Sequence, residues 1–235
     1  MILRPEGEKL LAIAQPDHAA LAGRIMERWA LDGLTVNPRR REVLLAVAEH
    51  DNGWEAIDQK PLVDAATGRL LDFLSATTVA KQEVWPRGIA SLSHAPYAAA
   101  LVAQHAAHIY ARFRGDAEWD SFFADMAAQR DRYAALAGAS LEELLRDYAF
   151  VRVGDLLSLT FCNAWTDAKT DEFGYTARLE GTNLTVQPDP FEGHSFALEI
   201  RARELPKQVY ASEAEAAAAF EAAPGRLLQG MISGV

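Results

Sequence analysis

Three histidines and two aspartates, selected by their positions in this sequence, are candidate ligands of a divalent metal ion. His50 and Asp51 are adjacent near the end of a predicted second helix, and His18 lies at the start of the predicted first helix. Consecutive helices joined by a short link usually run antiparallel, so that the start of one lies beside the end of the other. We therefore predict that His18 and the His50-Asp51 pair share one end of this helix pair.

Asp155 is a further candidate ligand from a distant part of the chain. It lies among apolar residues on a predicted helix that should be buried. Burial of a carboxylate without a partner is costly, so this side chain requires one. A metal ion would serve, and an arginine or an N-cap role is the structural alternative.

His105 is the histidine of the predicted third helix most suited to a buried site. Tyr97, Leu101 and His105 form a continuous stripe at four-residue spacing, so His105 should point inward. His108 lies one turn further on, where it could support a ligand or face solvent. His94 precedes His105 by about 16 Å of helix rise, so the two should not bind the same ion.

These residues depend on helices that the sequence predicts over most of residues 1–168. Helix starts are indicated at Pro16, at Asn37 with Pro38, near Ala95 and near residue 117. Ser140 and Glu143 form a capping box for a fifth helix reaching about residue 165. Residues 54–90 contain Pro61, Gly68, Pro86 and Gly88, and they are predicted to form a long loop with at most one short helix.

The remainder of the chain shows strand-like alternation. Residues 175–179 and 183–186 alternate around Glu180-Gly181, which predicts a hairpin, and Ser212 with Glu215 forms a capping box for one more helix. We expect a mainly α fold. Residues 1–168 would form a helical metal-binding domain, and residues 169–235 a small α+β appendage packed on it.

The order His18, His50-Asp51, Asp155 resembles the H…HD…D signature of the HD-domain superfamily. That resemblance implies an HD-domain-like helical bundle and, for most members, metal-dependent hydrolysis of nucleotides and phosphodiesters. Many hydrolytic members follow their HD pair with a glycine and a lysine, whereas this chain has Trp54 in the lysine position. Lys60 or Lys81 from the following segment could supply the missing cation.

A second resemblance extends along nearly the whole chain. The sequence is similar to an uncharacterised bacterial family of unknown function, and the similarity is carried by residues 15–23, 50–54, 97–105, 155–159 and 188–191. The motif of that family places a histidine where this chain has His105, which supports His105 as a site residue. The resemblance implies no established activity.

Imidazole and carboxylate ligands without thiolate suit iron, manganese, zinc, nickel or cobalt, as one ion or two. We expect His18, His50, Asp51 and Asp155 to be ligands in hydrolysis of a small phosphorylated substrate. His105 would be a further ligand or would hold the phosphate. Resemblance to the hydrolases also gives Asp51 a catalytic role, in contact with the attacking water.

The sequence is also compatible with two alternatives to hydrolysis. An HD-type di-iron oxygenase would need a larger ligand set, reached only if His94 or His108 joins the five candidates. A non-catalytic, metal-stabilised binding module would instead use the site to hold the fold together. Bound iron with an oxygen-dependent spectrum would indicate the first, and a metal-free protein of full thermal stability the second.

Composition limits the classes of partner. The chain has 235 residues, 50% hydrophobic and 24% charged, and 23 basic against 33 acidic residues give a net charge of −10. Such an acidic surface argues against nucleic acid and anionic membranes. Cys162 is the only cysteine, which excludes disulfides and thiolate zinc clusters. With no signal-peptide core or apolar span, we expect a cytoplasmic protein, and the composition is compatible with a homo-oligomer.

Overall fold

A seven-stranded sheet built from both ends of the chain is the central feature of the computed structural model, which describes residues 1–235. Its strand order is β1-β2-β8-β9-β7-β6-β5, and every neighbouring pair is antiparallel except β7 and β9. The strands are β1 (Ile2–Glu6), β2 (Lys9–Ile13), β5 (Asp167–Lys169), β6 (Thr176–Glu180), β7 (Asn183–Gln187), β8 (Ser195–Pro206) and β9 (Gly225–Gly234). β3 (Leu62–Val63) and β4 (Leu70–Leu71) form a separate two-stranded sheet.

Helices cover about half of the chain. They are α1 (Gln15–Glu27), α2 (Arg40–Glu49), α3 (Glu55–Asp58), α4 (Thr78–Ser91), α5 (Pro96–Ile109), α6 (Asp120–Leu136), α7 (Leu141–Asn163) and α8 (Glu213–Ala222). α1, α2, α5 and α7 pack against one another, and α1 and α7 also contact the large sheet. None of these helices has both the length and the apolar character needed to cross a bilayer.

The predicted mainly α, HD-domain-like bundle is wrong, because the large curled sheet makes this an α+β fold. β1 and β2 are five residues each, and apolar runs this short do not distinguish a strand from a buried helical turn. β2 pairs with β1 on one side and with β8 on the other, where Leu11 lies opposite Glu204. Local periodicity carries no information about a partner so far along the chain.

The predicted loop over residues 54–90 is also wrong, because most of its second half forms α4. Thr77 caps this helix by accepting a hydrogen bond from the Ala80 amide. Pro86 lies within the helix, although proline in a helix interior removes a backbone hydrogen bond. The proline that predicts a loop is thus accommodated inside a packed helix.

Several local predictions are confirmed. β6 and β7 pair as a hairpin with Glu180 opposite Asn183, and Gly181 has a φ of 62° at its turn. Ser140 accepts a hydrogen bond from the Glu143 amide at the start of α7, and Ser212 does so from Glu215 at the start of α8. These signals are read within a few residues, so no tertiary contact is needed to find them.

The division into domains at residue 168 stays a prediction. The large sheet has strands from both sides of that position, since β1 and β2 precede it and β6–β9 follow it. β1 also contacts α7, and β8 contacts α1. The predicted appendage and the predicted helical domain therefore share one sheet.

Candidate metal centre

Four helices bring the five predicted residues into one buried cluster. His18 lies in the first turn of α1, His50 and Asp51 at the end of α2, and His105 and Asp155 on α5 and α7. His18 Nε2 lies 2.9 Å from Asp51 Oδ2, and His50 Nε2 lies 3.3 Å from Asp155 Oδ1. His105 Nε2 lies 3.9 Å from Asp155 Oδ2. α1 and α2 pack against each other although the segment that joins them, residues 28–39, is longer than the predicted link, and this packing places His18 beside Asp51.

The cluster is almost entirely removed from solvent. His18 and His50 are fully buried, His105 is 2% exposed and Asp51 is 6% exposed. The side chain of Asp155 retains 18% exposure, so it faces the route to solvent. Two carboxylates at this depth require positive charge nearby, because an unpaired buried carboxylate is strongly disfavoured.

Each histidine ring is fixed through its Nδ1 atom, which leaves Nε2 facing the carboxylates. His50 Nδ1 donates to the Val47 carbonyl at 2.7 Å. His18 Nδ1 lies 2.7 Å from Ser158 Oγ, and because that hydroxyl donates to the Asp155 carbonyl at 3.0 Å, it accepts from the histidine. His105 Nδ1 contacts the Tyr148 hydroxyl at 3.1 Å. Histidine ligands in metal sites are oriented in this way.

The Nε2 atom of His50 identifies the position that a cation would fill. It is buried and makes no hydrogen bond, yet it lies 3.3 Å from Asp155 Oδ1 and 3.6 Å from Asp51 Oδ2. A nitrogen lone pair facing two carboxylates is repulsive unless a proton or a metal ion lies between them. The donor set therefore fits a divalent ion.

Two overlapping groups of ligand atoms satisfy the spacing of a metal site. One consists of His18, His50 and Asp51, and the other of His50, His105 and Asp155; within each, the ligand atoms lie within 4.8 Å of one another. His50 belongs to both groups. The cluster could therefore hold a metal ion.

Burial and charge shift the pKa values of the cluster in opposite directions. Burial lowers the pKa of His50, but Asp51 and Asp155 outweigh that effect and raise it to about 9. Burial and the neighbouring His50 lower the pKa of His105 to about 4. Burial acts to raise the pKa of Asp155, but the surrounding histidines hold it well below its usual range. Both carboxylates are thus charged at neutral pH, and His105 is neutral.

Two cavities meet at the cluster. The smaller has a volume of about 120 Å³ and is lined by Asp51, His105 and Asp155 together with Trp54, Phe73 and Lys81. The larger has a volume of about 370 Å³ and a more polar wall, which includes His108, Arg152, Lys169 and Glu172. His105, Ile109 and Asp155 line both cavities. Residues of the cluster therefore form part of the walls of both cavities.

Cationic side chains line both cavities. Lys81 and Arg112 line the smaller one, and no carboxylate lies within ion-pair distance of either. In the larger cavity, Arg152 pairs with Asp171 and Glu172. Of the two lysines predicted to reach the site, Lys81 lines the cavity and Lys60 does not.

The other histidines lie outside the cluster. His94 is exposed and donates to the Ser91 carbonyl, and His108 lines the larger cavity without joining either ligand group. His194, to which the sequence assigns no role, is exposed on the connection that precedes β8. As predicted, His94 and His105 do not belong to one ligand group.

Several residues around the cluster are not found by sequence reasoning. Gln15 donates to Asp51 Oδ2 at 3.1 Å, and Ser158 and Tyr148 orient two of the histidines. Ser158 follows Asp155 by three residues, a spacing that places both on one helix face and could have indicated it. Arg112 lies beyond the predicted motifs, and no sequence signal distinguishes it from other surface arginines.

Comparison with known proteins gives one match. Residues 1–207 match the family described as "Protein of unknown function (DUF3891)". The chain belongs to the DUF3891 family. No curated protein and no solved structure gives a significant match. The resemblance to an uncharacterised family is thus confirmed for the DUF3891 family, and nothing links the chain to the HD-domain superfamily.

Proposed function

We propose that this DUF3891 protein is a metal-dependent phosphohydrolase acting on a small phosphate ester. The proposal rests on the orientation of the three histidine rings in the cluster. The rings of His18, His50 and His105 are each held through Nδ1, with Nε2 facing the carboxylates of Asp51 and Asp155. Lys81 and Arg112 add positive charge to the smaller cavity beside this cluster.

In this proposal, four of the five residues hold the ion and the fifth faces the substrate. His18, His50, Asp51 and Asp155 are the ligands. A bound divalent ion would lower the pKa of a coordinated water and neutralise charge on a phosphoryl oxygen. His105 lines both cavities, and its pKa, lowered to about 4, makes it a weak base that can pass a proton on but does not retain one at neutral pH.

The proposed reaction consumes one water per ester. The water oxygen forms a bond to phosphorus while the bond between phosphorus and the leaving-group oxygen breaks. One proton of the water passes through His105 to the leaving oxygen, and the other stays on the phosphate product. Asp51, which lines the smaller cavity beside His105, orients the attacking water.

The ligand set favours hydrolysis over the oxygenase alternative. An HD-type di-iron site would require His94 or His108 as an additional ligand, and neither residue belongs to the ligand groups. The cationic cavities favour a substrate-binding role over a purely structural metal, since a structural ion needs no adjoining compartment.

Metal analysis combined with a hydrolysis assay tests the proposal. Protein purified without chelator should contain a divalent transition metal by elemental analysis and should hydrolyse p-nitrophenyl phosphate. His50→Ala removes the residue shared by both ligand groups, so metal content and hydrolysis should fall together, hydrolysis by at least the roughly 10- to 100-fold that follows loss of a residue that only orients a ligand. His94→Ala is the matched control, because this exposed histidine lies outside the cluster. Undiminished hydrolysis in His50→Ala would contradict the mechanism.

A further inference from the structure

Lys81 and Arg112 are two cations that line the smaller cavity, and neither has a carboxylate within ion-pair distance. Lys81 is 8% exposed, and its Nζ donates to the carbonyl of Leu74, another residue of the cavity wall. Burial and the proximity of Arg112 both lower the pKa of Lys81, although Asp72 partly opposes them. Two like charges facing one cavity repel each other, and an anion between them would relieve that repulsion.

The charges at the cavity match a doubly charged anion. Asp51 and Asp155 supply two negative charges, which a divalent ion in the cluster would balance. The two positive charges of Lys81 and Arg112 then remain for the ligand. A phosphomonoester carries close to two negative charges above its second pKa of about 6, whereas a phosphodiester carries only one.

The volume of the smaller cavity points to the same ligand class. Its volume is about 120 Å³. Pockets for whole drug-sized ligands occupy about 300–1,000 Å³. The smaller cavity therefore has room for a phosphoryl group, but not for a phosphate with a large substituent on each side.

The larger cavity can receive the rest of such a substrate. Its volume is about 370 Å³, and it shares His105, Ile109 and Asp155 with the wall of the smaller cavity. Lys169, Thr170, Asp171 and Glu172 supply hydrogen-bond donors and acceptors along its wall. This lining suits a leaving group with several hydroxyls better than an apolar or aromatic one.

We infer that Lys81 and Arg112 form a phosphate-binding subsite that selects a phosphomonoester dianion, whose polyhydroxylated leaving group occupies the larger cavity. This inference rests on the proposed function, because it identifies which phosphate esters the site accepts. Arg112 holds the phosphoryl oxygens from the mouth of the smaller cavity, and Lys81 holds them from its wall. Both are binding residues, distinct from the cluster that holds the ion.

Binding of inorganic phosphate tests the subsite without requiring turnover. Titration calorimetry at pH 8 on the Mn²⁺-loaded protein should show phosphate binding. Lys81→Gln and Arg112→Gln should each weaken it by about 10- to 100-fold, the effect of losing a hydrogen bond to a charged group. Arg114→Gln is the matched control, since Arg114 is a nearby exposed arginine that stacks on Phe123 and lines neither cavity. Manganese content should be unchanged in all three variants.

Ester preference forms the second part of the test. The wild-type protein should hydrolyse p-nitrophenyl phosphate and sugar monophosphates in preference to bis(p-nitrophenyl) phosphate. Phosphate binding that is unaffected in Arg112→Gln, which is exposed and should fold normally, would overturn the inference even if hydrolysis is observed. A preference for the diester would also overturn it. Arginine- and lysine-dependent phosphate binding without hydrolysis of any ester would support the subsite and contradict the proposed function.

Discussion

At the scale of single residues, protons and metal ions compete for the same position between His50 and the two aspartates. In the metal-free protein, Asp51 and Asp155 raise the pKa of His50 to about 9, so the ring carries a proton at neutral pH. The carboxylates that attract this proton would also attract a divalent ion. Metal binding should therefore release a proton and become tighter as the pH rises.

The stability of the metal-free protein should fall between pH 6.5 and about 9. The ordinary pKa of histidine is 6.5, and that of His50 in the folded protein is about 9. The stabilisation from its proton is thus fully present below pH 6.5 and lost as the pH rises through 9. Thermal unfolding of chelator-treated protein should show a falling melting temperature across this range.

The matched variant for this effect is His50→Gln, which keeps a polar side chain and cannot titrate. Its melting temperature should change less across the same range than that of the wild type. Equal slopes for the two proteins would show that another group causes the dependence.

His105→Ala should separate catalysis from metal binding. His105 lines both cavities, and we assign it to proton transfer, a role worth roughly 100- to 10,000-fold in rate. The variant should retain its metal and lose hydrolysis by a factor in that range. Elemental analysis and kcat provide the two measurements. Loss of the metal together with activity would instead identify His105 as a ligand.

At the scale of elements, the turn after Asp51 is held against α4 by a backbone contact that only glycine allows. A Cβ on Gly53 would collide with the carbonyl oxygen of Val84. The same helix carries Lys81 and Trp85, and the Trp85 ring lies 5.9 Å from that of His105. This contact therefore sets the distance between the metal cluster and one wall of the smaller cavity.

Gly53→Ala should destabilise the protein by about 1–3 kcal/mol, the usual cost of forcing atoms into a filled space. The measurement is urea denaturation followed by circular dichroism. Gly225→Ala is the control, because a Cβ there would meet no atom within 4 Å. A Gly53→Ala protein as stable as this control would show that α4 can move away from residue 53 without a loss of folding free energy.

The sequence predicts the grouping of the five side chains better than it predicts the fold, because the signals for that grouping are local. The prediction of two consecutive, packed helices indicates that His18 lies beside His50-Asp51, and the stripe ending in His105 indicates its inward side. The burial expected for Asp155 is likewise local. By contrast, β1, β2 and their pairing with β8 depend on contacts between the two ends of the chain, which residue periodicity cannot reveal.

The position of Arg112 at the smaller cavity is another feature that the sequence does not predict. It follows α5 in a short helical turn, Ala111–Phe113, and stacks on the neighbouring Phe113. Its position beside the smaller cavity depends on how α5 lies against the segment before α4, which supplies Phe73 and Leu74. Side chains that line a cavity from separate elements become visible only when the packing is known.

At the scale of the whole molecule, the large sheet joins the regions on either side of residue 168. β2 pairs with β8, and α1 and α7 pack on the same sheet. We therefore expect a single cooperative unfolding transition, with circular dichroism and tryptophan fluorescence giving the same midpoint. Two separated transitions would contradict this expectation and would support the predicted two-domain division.

The pairing of β2 with β8 also has a consequence for synthesis on the ribosome. Leu11 and Ile13 are completely buried in the folded protein, but Leu11 lies opposite Glu204, which is translated much later. The edge of β2 that pairs with β8 therefore stays open in the nascent chain until β8 has been translated. Pairings of such long sequence separation form slowly, and apolar strand edges left open meanwhile promote aggregation. Chaperone demand should consequently be greatest before β8 emerges.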